Sequence, residues 1–250
     1  MDTVDKAIAW ILLLFTAVSI VLLVIPLPTV HEITGDIFVI LTHAMIIPVC
    51  ILFCKDPWYK KNGQWYIAIL SNSLAASVLY HVCKIADVLQ RETTHWDISS
   101  QNLLLLATLL ILVDEDNVPS PLGYISISMC AIFVASFGEA TLFGLKIFEW
   151  VAGIIFIVLF GYVFKRSCSA VPGRNNSYLY VASCLVVAAG VTFVLSASTI
   201  KGSLHEDVTK SLDDKYGLIH SMWHVYAYSM LYFTLKAIGV HPGRRARATT

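Results

Sequence analysis

The sequence predicts an all-α membrane protein, a polytopic bundle of eight transmembrane helices. Three observations predict it. Hydrophobic residues make up 57% of the 250 positions and charged residues only 14%, whereas a soluble domain carries roughly 45–50% and about 25%. The apolar residues gather into eight segments near the ~20-residue length of a membrane-spanning helix. Between them lie short runs of breakers and charges, such as Lys55-Asp56-Pro57, Asp114-Glu115-Asp116 and Pro172-Gly173-Arg174.

The segments are residues 7–28, 37–54, 65–84, 97–113, 122–140, 143–164, 178–198 and 217–238. A secretory signal has an apolar core of only about 7–15 residues after a basic start. The first segment is longer, and Lys6 alone precedes it. It therefore reads as a retained helix, with residues 1–36 forming that helix and its loop. Residues 37–240 then hold the other seven segments, and residues 241–250 a basic tail.

Lys and Arg set the orientation, because they are retained on the cytosolic side. With eight spans, eleven of them fall on one side, including Lys55, Lys60, Lys61, Lys165, Arg166 and Arg174. Six fall on the other: Lys84, Arg91, Lys146, Lys201, Lys210 and Lys215. This bias predicts a cytosolic C-terminus. Acidic and basic residues balance at 17 each, and no glycine-rich phosphate loop interrupts the spans, so nucleic acid is not an expected partner. The six cysteines are spaced unlike a disulfide framework and read as small buried hydrophobes. Cys50 and Cys54, one turn apart near a cytosolic end, are candidates for palmitoylation.

Ionisable groups inside a membrane are costly and mark functional candidates. The third segment ends Ser77-Val-Leu-Tyr80-His81-Val-Cys83, where Ser77 and His81 share a helix face. The fourth opens on Trp96-Asp97, with Gln101 one turn on, and the eighth on His220-Ser-Met-Trp223-His224. The last motif puts two imidazoles on one face, about 6 Å apart along the axis. The predicted topology brings His81, Asp97, His220 and His224 to one depth, near the lumenal or extracellular face. Three neutral imidazoles with an open fourth position suit catalytic zinc. Zinc is thus the expected cofactor, with His81, His220 and His224 as ligands and Asp97 and Ser77 as catalytic candidates. Asp97 would manage the proton of the attacking water, and Ser77 would hydrogen-bond the water or a developing oxyanion. His43 reads as a hydrogen-bonded core residue. Asp114, Glu115 and Asp116 lie about 26 Å from Asp97 along a helix and read as solvated charges of the opposite face. Asp87, His95, His205 and Glu206 read as solvated loop residues, and Trp65, Trp150 and Tyr178 as interfacial belt residues.

The S-x-x-Y-H-x-C run at 77–83, the Asp at the head of the next helix and H-S-x-W-H at 220–224 together resemble the CREST superfamily. That superfamily of seven-helix membrane proteins includes alkaline ceramidases, progestin and adipoQ receptors, and the transmembrane protein 8 and myomaker family. Tyr80-His81, Cys83 and Trp223 are most similar to the last branch. The resemblance covers the second to eighth segments and implies a seven-helix core over residues 37–240 with a zinc site on His81, His220 and His224, and with Ser77 and Asp97 as the family's Ser and Asp. Lys84 departs from it, since this branch often has an acidic residue there, and the first helix is an addition. The expected function is zinc-dependent hydrolysis of an amide or ester bond in a membrane lipid. The alternative is a non-enzymatic membrane protein, a fusion or trafficking factor or a receptor, whose zinc is structural. Haem is disfavoured because His220 and His224 share one helix face.

Overall fold

The computed structural model describes residues 3–24, 32–56, 59, 63–113, 120–137, 140–142, 145–169, 176–196 and 215–239. They fold into a helical bundle: α1 (Thr3–Val24), α2 (Glu32–Thr42), a 3-10 turn (His43–Ile46), α3 (Ile47–Lys55), α4 (Gln64–Ala86), α5 (Gln90–Val113), α6 (Pro121–Phe137), α7 (Ile147–Cys168), α8 (Asn176–Ser196) and α9 (Tyr216–Gly239). The only strands among the described residues are Thr141–Leu142 and Leu145–Lys146, an antiparallel pair with Thr141 opposite Lys146. Among the described residues, six stretches are long and apolar enough to cross a membrane: Thr3–Val21, Gly35–Lys55, Gln64–Ala86, Glu92–Val113, Ile147–Cys168 and Asn176–Ser196. α6 contributes a shorter apolar stretch.

α9 is the centre of the bundle. Every residue from 221 to 238 is buried, and the helix packs most extensively on α8, then on α2, with further contacts to α1, α3, α5 and the 3-10 turn. A helix enclosed on all sides can be apolar all round or can carry polar groups that face other helices. α9 does both, which is why it holds His220, Ser221, His224 and Lys236 without reaching the hydropathy of the outer spans. The peripheral helices turn large apolar side chains outward, among them Trp10, Leu14, Leu122 and Ile157. That pattern suits a lipid-facing surface.

Glycine allows one contact that shapes the site. Gly35 of α2 and Gly217 of α9 meet backbone to backbone: a Cβ on Gly217 would lie 2.5 Å from the Gly35 Cα. The heads of α2 and α9 are therefore closer than any side chain would permit.

Several sequence expectations are corrected. α5 begins at Gln90, not near Trp96, so Asp97 lies two turns inside the helix and His95 is helical. The cause is a tight cap. Asp87 sits in the left-handed region (φ 55°), while the amides of Asp87 and Val88 bond back to Lys84 O (3.3 Å) and Cys83 O (3.0 Å), a Schellman closure. The chain then turns directly into α5. The 37–54 segment is divided by the 3-10 turn ahead of Pro48, which follows the first residue of α3 and supplies no backbone donor. Residues 145–146 of the sixth segment are strand, so α7 starts at Ile147. Tyr178 is no belt residue. It is buried, and its hydroxyl donates to Asp5 Oδ2 at 2.9 Å. Of the cysteines only Cys83 is buried, and all six are free thiols. Asp114–Asp116, His205, Glu206, Asn175 and the 241–250 tail lie outside the described residues.

The first helix is tied to the centre by a buried ion pair. Asp5 of α1 is fully buried, bonds Lys236 Nζ and accepts the Tyr232 hydroxyl at 2.9 Å. Lys236 also lies over the Tyr178 and Tyr232 rings, 5.1 and 5.4 Å from their centroids. Lys236 is thus a core residue, and one of the eleven Lys and Arg on the more basic side is no loop charge.

Candidate metal centre

Three helices deliver the site. α4 carries Ser77 and His81 one turn apart, α5 carries Asp97, and the first three turns of α9 carry His220 and His224. One ring nitrogen from each of His81, His220 and His224 falls in a group whose members lie within 4.8 Å of one another. This group can hold a metal ion. His81 is fully buried and His224 is 1% exposed.

The donor chemistry fits a metal. His220 Nε2 and His224 Nε2 are 3.2 Å apart, close to the edge of about 3.3 Å that a tetrahedron with Zn–N bonds of about 2.0–2.1 Å requires. His81 Nδ1 is 2.8 Å from Asp36 Oδ1, and Lys84 Nζ contacts both Asp36 oxygens, at 3.3 Å (Oδ1) and 3.0 Å (Oδ2). A carboxylate paired with an ammonium only accepts, so His81 Nδ1 donates and Nε2 presents its lone pair. That Nε2 is buried and has no hydrogen-bond partner. An orphaned buried acceptor is costly, and a cation beside two further imidazoles would satisfy it.

Asp97 and His220 line the same cavity, about 320 Å³ in volume, at the small end of ligand pockets (about 300–1,000 Å³). Its apolar wall includes Leu105, Phe156 and Phe193, and its polar groups include Tyr80, Thr94 and Gln101. Asp97 Oδ1 accepts from Gln101 Nε2 at 3.4 Å, a long contact. The Ser77 hydroxyl is fully buried, close beside the Asp97 carboxylate. Glu149 of α7 is a further lining residue: one oxygen accepts the Lys146 amide at 3.0 Å, and the other is buried and without a hydrogen bond.

The chain matches no family model, no curated protein and no solved structure. The site therefore has to be read from its own residues.

Four contacts escaped the sequence reading. Asp36 was assigned to a loop yet lies in α2, 3% exposed, against His81. Lys84, by sequence an outer-side charge, pairs with it. Tyr216, the first residue of α9, stacks on His220 with centroids 5.2 Å apart. His43 is a core residue whose Nδ1 bonds Val39 O at 3.0 Å, but its ring also packs on His224, centroids 4.3 Å apart.

Proposed function

We propose that the protein is a zinc-dependent hydrolase that cleaves an amide or ester bond of a membrane lipid. The observation that carries this reading is the cavity, which joins an imidazole of the triad to a carboxylate and an apolar wall. Zinc on three neutral imidazoles would supply Lewis acidity and lower the pKa of water at the site to about 7. The residues would do the rest. The apolar wall would hold an acyl chain and bring its carbonyl to His220. Asp97 would take the proton as water adds to the carbonyl carbon, and would return it to the amine or alkoxide as the C–N or C–O bond breaks. Ser77 would donate a hydrogen bond from its hydroxyl to the carbonyl oxygen as negative charge develops there. The Lys and Arg bias supports a site toward the lumen or exterior; without Lys236 it is still ten to six (11 − 1 = 10).

The test is Asp97→Asn in purified protein offered a broad mixture of membrane lipids. The variant should fold and keep its zinc but lose hydrolysis. Hydrolysis at the wild-type rate would remove Asp97 from the mechanism. No hydrolysis by the zinc-loaded wild type would point instead to a structural metal in a non-enzymatic protein.

A further inference from the structure

We propose that Asp36 and Lys84 are positioning residues that present His81 to the metal and brace His220 beside it. The inference rests on the metal reading above and adds two residues from outside the triad.

An imidazole has two nitrogens, and a ligand must expose the right one. A carboxylate on the other ring N–H fixes the tautomer and the ring plane, and makes the ligating nitrogen more basic. The Asp36 carboxylate meets this requirement at 2.8 Å from Nδ1, opposite the orphaned Nε2. An unpaired carboxylate at this depth would be unstable, since Asp36 is 3% exposed. Lys84 answers that need. It sits one residue beyond Cys83 on α4, so the helix that carries the ligand also carries the counter-ion of its partner.

Lys84 extends the brace to a second ligand. Its ammonium lies 5.0 Å from the centroid of the Tyr216 ring, which stacks on His220. The Gly35–Gly217 contact brings the heads of α2 and α9 together next to this cluster. Asp36 and Lys84 also cancel in charge, so the site keeps three neutral ligands and a bound cation would keep its full charge.

A purely structural ion pair predicts something different. Replacing both members of a buried pair by uncharged residues of similar size is often neutral or even stabilising. Metal affinity would then stay as it was. The positioning role predicts unchanged stability together with weaker metal binding.

The experiment uses full-length protein in detergent. Zinc affinity is measured by competition with a chromophoric chelator, cobalt is loaded as a spectroscopic probe, and melting temperature is followed in parallel. Asp36→Asn with Lys84→Met removes both charges and leaves Nδ1 a neutral amide, a weaker acceptor that can also turn its own N–H toward the ring, so the tautomer is no longer fixed. This double variant should melt at or above the wild-type temperature, bind zinc about 10–100-fold more weakly, and shift the visible bands of bound cobalt. Lys84→Arg should keep wild-type affinity. A double variant that binds zinc within about threefold of wild type, short of the ~10-fold minimum for such partners, would overturn the proposal and leave the metal reading intact. Failure of the wild type itself to bind zinc would overturn both.

Discussion

Gly217→Ala is the smallest change that should separate the halves of the site. The added Cβ would lie 2.5 Å from the Gly35 Cα and 3.0 Å from its carbonyl carbon, where ordinary contact begins at 3.4 Å. Both are backbone atoms, so no side chain can swing aside. The head of α9 must retreat by about 1 Å (3.4 − 2.5 = 0.9). His220 and His224 travel together on α9, so their 3.2 Å spacing survives. His81 stays on α4, and a shift of that size far exceeds the ±0.2 Å tolerance of metal–ligand distances. Zinc affinity should fall by at least the 10–100-fold lost when a ligand's supporting partner is removed. Stability works in two directions: overpacking costs about 1–3 kcal/mol, and the better helix propensity of Ala returns up to about 1 kcal/mol. Gly35→Ala is the internal control, because its Cβ would meet the Gly217 Cα at a milder 3.3 Å. Chelator competition and thermal melting of both variants provide the assay. Wild-type zinc affinity in Gly217→Ala, or a larger loss in Gly35→Ala, would refute the reasoning.

Three other predictions address different parts of the molecule. Asp5→Leu strands the Lys236 ammonium in the core and should cost about 3–5 kcal/mol; Asp5→Leu with Lys236→Met should recover most of it, and equal melting temperatures for single and double variants would show the pair to be idle. His43→Phe keeps the aromatic contact with His224 and removes two ring nitrogens outside the triad, Nδ1 with its bond to Val39 O among them, so zinc stoichiometry should hold; loss of the metal would make His43 a ligand. Asn175-Asn176-Ser177 is a glycosylation acceptor by sequence in a loop that the charge bias places in the cytosol, so it should stay unmodified while an acceptor engineered beside His205 gains a glycan; a glycan on Asn175 would invert the topology.

The parts of this site legible in the sequence obey local rules. His220 and His224 stand one helical turn apart, Ser77 and His81 likewise, and helix direction alone is enough to expect these motifs to converge. The membrane-length segments were equally plain, because apolar length is a one-dimensional signal. What escaped was long-range. Asp36 is 45 positions from His81, and at the border of an apolar segment it looks like any loop carboxylate. Its pairing could have been suspected from topology, since the start of the second segment and the end of the third, where Lys84 stands, reach the same face. Tyr178 shows the limit differently: an aromatic two residues into a span fits an interfacial belt, and only the arrival of Asp5, 173 positions away, makes it a core hydrogen-bond donor. The early start of α5 was hidden because a left-handed Asp87 is a conformational choice that composition does not reveal.

The most direct test of the central claim is metal analysis of the purified protein. The wild type should hold about one zinc per chain, and His81→Ala, His220→Ala and His224→Ala should each lose most of it, since two imidazoles are too few for a tight site. Full occupancy in any one of these variants would contradict the three-histidine centre, and a wild type free of metal after zinc loading would remove it altogether.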